Sequence, residues 1–170
     1  MRSEDRLARA ADKRLADALQ GQGYKFLLDN SSNCGKDTAI YPNGGFPATA
    51  LCPLYAASDE GLVRAAAIAF NAMSNAYQQQ TGSPLCVTDG YRPLAEQIAV
   101  RLASPKLSAA PGTSQHGLGL AVDLCGGVQS FAAPAHLWMQ RNAPLYGWFH
   151  PAWAEPTGTM PEPWHWEFAS

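Results

Sequence analysis

The sequence predicts an α+β domain, on three observations. Stretches of helical period occupy 4–20 and 58–80, short apolar runs suited to strands lie near 84–88 and 164–168, and no repeat or shift in composition divides the chain. Residues 4–20 place Leu7, Ala11, Leu15, Ala18 and Leu19 on one stripe, an amphipathic helix that Gly21 and Gly23 end. Residues 29–57 mix Asn, Gly, Pro and two cysteines without a period. They read as a long ordered loop with short extended pieces, a functional rim or a disulfide-held excursion. Ser58 stands where it can cap a helix running to about Gln80, with Leu62, Ala65, Ala66, Ala69, Met73 and Tyr77 facing the core. Residues 84–88 read as a strand, and Pro93 in a first turn opens a helix over 94–103. A Pro/Ser/Ala-rich loop follows over 104–113. Ser130 caps a helix that runs through Trp138 to about Asn142, and 164–168 is the closing strand. The expected organisation is one domain over 1–170, with the N-terminal helix and irregular segment in 1–57 and the core that carries the chemistry in 58–170.

Composition narrows the class. At 170 residues and 46% hydrophobic, the chain is long enough to bury a core. A net charge of −2 and a pI near 6.0, without a basic cluster, leave no electrostatic footprint for nucleic acid. No apolar run reaches the ~18 residues of a membrane span. The first twenty residues are charged and helix-forming, unlike an export signal. A monomer is expected.

Two segments concentrate the chemistry: Ser114-Gln-His116-Gly-Leu-Gly-Leu-Ala-Val-Asp123 and Glu162-Pro-Trp-His165-Trp-Glu167. Two imidazoles and a carboxylate, with a fourth position open, form the ligand set of a catalytic rather than a structural zinc, one ion per chain. A spare glutamate is what such a metal needs as a base toward water. His116 and Asp123 are seven positions apart, an odd step that a straight strand would point to opposite faces. Gly117 and Gly119 lie between them, where a turn or bulge can reset that parity. His116 is therefore expected on a loop or bulge, and Asp123 on a strand beginning near Leu120. His165 and Glu167 share one strand face, Trp164 and Trp166 the other. Glu162 is an odd step from His165, and Pro161 and Pro163 allow the bend that brings it over the metal.

These segments resemble the zinc D,D-carboxypeptidases of peptidoglycan metabolism, the group of the vancomycin-resistance carboxypeptidases and dipeptidases. That group shares a superfamily with lysostaphin-type peptidases and hedgehog signalling domains. Asp89-Gly-Tyr91-Arg92-Pro-Leu-Ala-Glu-Gln97 is similar to the family's Gly-Tyr-Arg segment, with its Gln five residues after the Arg. The three motifs stand in family order, and the resemblance runs from about residue 84 to 168. It implies a small antiparallel sheet carrying the zinc site and flanked by helices. It implies His116, Asp123 and His165 as zinc ligands, Glu162 as catalytic base and Arg92 as the cation on the reacting carbonyl or its oxyanion. Ser114 falls near the substrate's terminal carboxylate, and Tyr91 and Gln97 join Ser114 and Arg92 as substrate-contacting positions. Asp89 departs from the small or hydroxyl residue expected there. It either alters the pocket beside Arg92 or holds the guanidinium in an ion pair. The activity implied is zinc-dependent hydrolysis of the C-terminal D-Ala-D-Ala bond of peptidoglycan stem peptides, in a bacterial extracellular or cell-wall setting. Two other readings stay open: a cell-wall endopeptidase cutting L-Ala-D-Glu or cross-bridges with the same site, and a zinc-holding binding or signalling module without turnover.

Cys34, Cys52, Cys86 and Cys125 are even in number and contain no C-x-x-C, which argues for an oxidising location and against a cysteine zinc site. Sequence does not choose among their three pairings. If the extended pieces at Cys86 and Cys125 are neighbours, those two form the natural bridge and Cys34–Cys52 closes the irregular segment. The alternative is four buried thiols in a cytoplasmic protein. His136 is expected at the surface or in a satisfied, partly buried place, and His150 in a structural or rim position, with substrate contact as the alternative. Glu167 is either a partner that orients His165 or a rival base. Tyr91 packs beside Arg92 rather than donating a proton. The tryptophans from Trp148 to Trp166 are core residues by default, with room for one at the cleft wall.

Overall fold

The computed structural model describes residues 34–35 and 38–170. The helix expected over 4–20 lies outside the described residues. Strands β1 (Cys52–Leu54) and β2 (Ala57–Leu62) form an antiparallel pair. Helix α1 (Arg64–Thr81) follows, then β3 (Val87–Asp89), α2 (Leu94–Ala103), β4 (Ala121–Leu124), α3 (Pro134–Asn142), β5 (Trp148–Phe149) and β6 (His165–Phe168). The last four strands make one antiparallel sheet in the order β3-β4-β6-β5.

Alternation along the two central strands divides this sheet into an apolar and a polar face. Val122, Leu124 and Trp166 are buried in the core, while Asp123 and His165 are cross-strand partners on the opposite face. The apolar face packs with α1, α3, Trp148 and the β1–β2 pair in one continuous cluster. Alanines dominate the buried side of α1 (Ala66, Ala67, Ala69, Ala72) and let it approach closely, with Phe70 and Met73 filling the space between. Two of its buried polar residues hold neighbouring backbone. Asn71 accepts the Tyr55 amide (2.6 Å) and donates to the Pro53 carbonyl (3.3 Å), and Ser74 accepts the Leu85 amide (3.0 Å). Gly82, in the left-handed conformation at φ 88°, ends the helix.

The structure departs from sequence expectation in particular places. Residues 58–62 belong to a strand, and Ser58 caps nothing, because the helix starts at Arg64. Long-range pairing overrides the capping signal. Leu62 pairs with Cys52, the Gly61 carbonyl accepts the Tyr91 amide (2.9 Å), and the Val63 amide donates to Gly119 (3.1 Å), so none of these backbone groups is free for a helix. Ala65 faces solvent and Phe70 takes the core position instead. The division at 57/58 falls inside the β1–β2 hairpin. Helix α3 opens at Pro134 in its first turn, not at Ser130. Trp164 precedes β6 and does not join Trp166 on the core face; it is 37% exposed. His136 is fully buried rather than superficial, with Nδ1 2.9 Å from the Val128 carbonyl. The helix over 94–103 lies where Pro93 places it.

Two disulfides join Cys34 to Cys52 and Cys86 to Cys125. The second clamps the approach to β3 against the exit from β4, beside a hydrogen bond from the Cys125 amide to the Cys86 carbonyl (2.8 Å). It closes a separation of 39 residues. The Cys86→Ala/Cys125→Ala variant should therefore lose about 2–4 kcal/mol of stability, read from urea unfolding against the oxidised parent.

Candidate metal centre and cleft

The polar face of the sheet and the turn before β4 bring three ligand atoms together. Asp123 on β4 and His165 on β6 are directly opposed. His116 sits in a 3-10 turn (His116–Leu118) that Gly119 ends at φ 65°. A Cβ on Gly119 would lie 2.9 Å from the Val63 amide nitrogen, so both backbone angle and close packing require glycine there. The turn resolves the odd spacing between His116 and Asp123 and delivers both to one face.

His116 Nε2, His165 Nδ1 and Asp123 Oδ1 form a nearly equilateral triangle with edges of 3.2, 3.2 and 3.3 Å. Ligands ~2.0–2.1 Å from a tetrahedral zinc stand about 3.3–3.4 Å apart, so the triangle fits three corners of that polyhedron. The other ring nitrogens set the tautomers. His116 Nδ1 lies 2.8 Å from the Gly90 carbonyl oxygen, which only accepts, so Nδ1 carries the proton and neutral His116 presents a lone pair at Nε2. His165 Nε2 lies 3.0 Å from Glu167 Oε1, which likewise leaves Nδ1 as the lone-pair atom. Two such lone pairs and a carboxylate oxygen converge on one point, an arrangement that calls for a cation between them. These residues fit a divalent metal and form the group among the described residues able to hold one.

The electrostatics agree. Burial works to raise the pKa of Asp123, yet its contacts with His116 and His165 hold the carboxyl well below the usual range. Burial works to lower that of His165, and Asp123 and Glu167 push it up instead to about 9. Without a metal, the same convergence draws a proton, so metal binding displaces one.

A cleft of about 610 Å³ opens over the triangle. Glu162 and Arg92 line it together with His116, Asp123 and His165. Glu162 is half-buried, and burial with the nearby Asp123 charge raises its pKa against the opposing influence of His165, His116 and Arg92. Arg92 is ion-paired with Asp89 and reaches Asp123 Oδ2 at 3.4 Å. Asp89 thus holds the guanidinium in place, the second of its two sequence alternatives. Ser114 also lines the cleft, its hydroxyl accepting the His116 amide (3.2 Å). Trp153, Met160, Trp164, Val100 and Leu107 contribute apolar lining.

Two expected substrate contacts are not in this cleft. Gln97 is 3% exposed and its amide is spent on structure: Nε2 donates to Asn43 Oδ1 (3.0 Å) and to the Arg92 carbonyl (3.1 Å), and Oε1 accepts the Gly112 amide (2.9 Å). Tyr91 stacks on Phe46 at 5.5 Å, and its hydroxyl accepts the Phe46 amide (2.7 Å). Both brace the backbone around Arg92. The Gly-Tyr-Arg segment is itself a bracket over His116, because Gly90 holds the ring and the Arg92 amide donates to the His116 carbonyl (3.1 Å). Glu60 was not singled out from sequence. Its Oε2 accepts the Gly90 amide (2.8 Å) and so fixes the peptide that orients His116. It sits in a segment read as helix, which concealed the contact.

An α+β domain with a two-histidine, one-aspartate metal group on one face of an antiparallel sheet is the class that fold and site define. A family model described as VanY: D-alanyl-D-alanine carboxypeptidase matches residues 59–170, and the chain belongs to that family. The D-alanyl-D-alanine carboxypeptidase of Enterococcus faecalis is 39% identical over 64 residues, covering 35% of this chain and 24% of the relative. The chain thus matches about a quarter of the length of that curated relative. Among solved structures, VanYB in complex with D-Alanine-D-Alanine aligns with a TM-score of 0.55 and 26% identity, over 71% of this chain and 77% of that one. A variant of the vancomycin-resistance D,D-pentapeptidase VanY in complex with Zn(II) aligns with a TM-score of 0.54 and 25% identity, over 71% and 78%. The LdcB LD-carboxypeptidase aligns with a TM-score of 0.52 and 26% identity, over 64% and 59%.

Glu167 touches His165 at the nitrogen remote from the metal group. Glu167→Ala should weaken zinc binding by roughly 10- to 100-fold while saturating zinc still fills the site. Calorimetric titration of chelator-treated protein with zinc reads both quantities.

Proposed function

We propose that this chain is a zinc-dependent D,D-carboxypeptidase that removes the C-terminal D-alanine of peptidoglycan stem peptides, one zinc ion per chain. The single observation that carries the proposal is the lone-pair triangle of His116, His165 and Asp123, open to the cleft that Glu162 and Arg92 also line. Membership of the VanY family and the D-Alanine-D-Alanine and Zn(II) complexes of two structural relatives support it.

His116, His165 and Asp123 would hold the metal. Zinc bound there supplies Lewis acidity toward a carbonyl oxygen and lowers the pKa of a water to roughly 7. Glu162 takes the water proton as the oxygen attacks the peptide carbonyl, then delivers it to the departing D-alanine amine. Burial raises its pKa, the direction that suits a carboxylate which must hold a proton and pass it on. Arg92, held by Asp89, places a fixed positive charge where the carbonyl oxygen becomes anionic. Ser114 offers a hydroxyl to the substrate's terminal carboxylate. The open cleft favours turnover over a module that only holds zinc. Two disulfides support an oxidising, extracellular or cell-wall setting in a bacterium. The chain is proposed to act as a monomeric single domain.

Defined muropeptides analysed by mass spectrometry test the bond. The pentapeptide stem should lose one D-alanine, and intact cross-bridges and L-Ala-D-Glu bonds should survive. A tetrapeptide stem belongs in the panel because of the similarity to LdcB. Cleavage within the stem, or none at all with zinc loaded, overturns the proposal. Exhaustive chelation should abolish activity, and added zinc should restore it. Glu162→Ala should retain stoichiometric zinc yet lose at least ~10²-fold in kcat. Near-normal turnover in that variant beside a dead, zinc-saturated Glu167→Ala would exchange the two roles.

A further inference from the structure

We propose that His150 is a positioning residue for Glu162, clasping the loop that carries the base; the inference rests on the reading of Glu162 as base. Residues 151–164 bring Trp153, Met160, Pro161, Glu162 and Trp164 to the cleft. The loop is wound on its own backbone. The Ala154 amide donates to Pro151 (2.9 Å), Gly158 to Glu155 (2.8 Å), Met160 to Trp153 (2.9 Å) and Glu162 to Ala154 (2.9 Å). The winding is tight enough that a Cβ on Gly158 would lie 2.2 Å from the Trp153 carbonyl oxygen.

One side chain completes these bonds at Glu162. His150 Nε2 lies 2.9 Å from the Glu162 carbonyl oxygen, which can only accept, so Nε2 donates. That carbonyl also accepts the His165 amide (3.1 Å). The Glu162 peptide is therefore gripped at its N–H by Ala154 and at its C=O by both His150 and His165, and its carboxylate pivots from a fixed backbone. His150 is itself anchored. Its side chain is 3% exposed, with ring centroids 4.9 Å from Trp166, 5.4 Å from His136 and 5.9 Å from Phe131. Trp166 lies on β6 beside His165, so the clasp ties the base to the strand that bears a metal ligand. Its Nδ1 lies 3.2 Å from Glu155 Oε1 without hydrogen-bond alignment, a contact on which the inference does not rely.

The test compares three variants of the zinc-loaded chain. His150→Phe fills the ring space without the donor, His150→Gln places an amide nitrogen near the position of Nε2, and His150→Asn places one near Nδ1. His150→Phe should lower kcat by roughly 10- to 100-fold with KM changed by less than about twofold and zinc content unchanged, because the base is displaced while ligands and binding remain. Hydrogen exchange of peptides spanning 151–164 should quicken in the same variant. His150→Gln should restore both kcat and slow exchange, and His150→Asn neither. An unchanged kcat in His150→Phe, a loss that tracks loss of zinc, or equal behaviour of Gln and Asn overturns the inference. If His150→Phe does not fold, the Gln and Asn pair decides alone. If the parent chain hydrolyses no stem peptide, the carboxypeptidase reading fails separately. The exchange comparison then still decides the clasp, which equal protection in parent and variants would overturn.

Discussion

Three atoms that each offer a lone pair cannot be held about 3 Å apart in a buried place unless a positive charge lies between them. Much of the architecture of this chain serves that constraint. Antiparallel register opposes Asp123 to His165, and a 3-10 turn ended by Gly119 brings His116 alongside. The Gly90 carbonyl and the Glu167 carboxylate take the remote ring protons, so the inner nitrogens are left as donors to a metal. Glu60 steadies Gly90 in turn, and the β1–β2 hairpin becomes part of the site although none of its residues faces the metal group. Groups that orient the ligating rings in this way commonly govern metal affinity nearly as strongly as the ligands.

Charge balance leads to the same place. Asp89, Asp123, Glu162 and Glu167 gather around the centre, with Arg92 as the fixed cation among them. A dication offsets that excess and reverses the local effect on neighbouring acids. The sheet makes such a polar concentration tolerable because its other face is wholly apolar. Val122, Leu124, Trp148 and Trp166 share one buried cluster with α1, and the Cys86–Cys125 bridge holds the start of β3 to the end of β4. Burial on one face supplies the stability that the polar face cannot.

The cleft walls are built by different means. Helix α2, which brings Val100 to the cleft, is braced through Gln97, a buried amide bonded to backbone and to Asn43. A loop wound on itself presents aromatic and thioether side chains beside Glu162. The wound loop is a connecting segment that a rigid sheet positions, the usual place for specificity to reside.

Residue type, spacing and intervening glycine and proline were enough for the sequence to single out His116, Asp123 and His165, which the fold brings together, and Glu162, which lines the same cleft; motif order pointed to the family. The helix over 94–103 was legible from Pro93. Which polar residues face the cleft depended on the fold. Gln97 and Tyr91 carry the chemistry of substrate contacts, yet long-range bonds to Asn43, Gly112 and Phe46 consume them. Ser58 looked like a helix cap, and pairing of Leu62 with Cys52 made its segment a strand. Glu60, buried His136 and the grip of His150 on Glu162 left no local signal. Their roles arise from partners 8 to 30 residues away, and a backbone carbonyl as partner has no identity in a sequence.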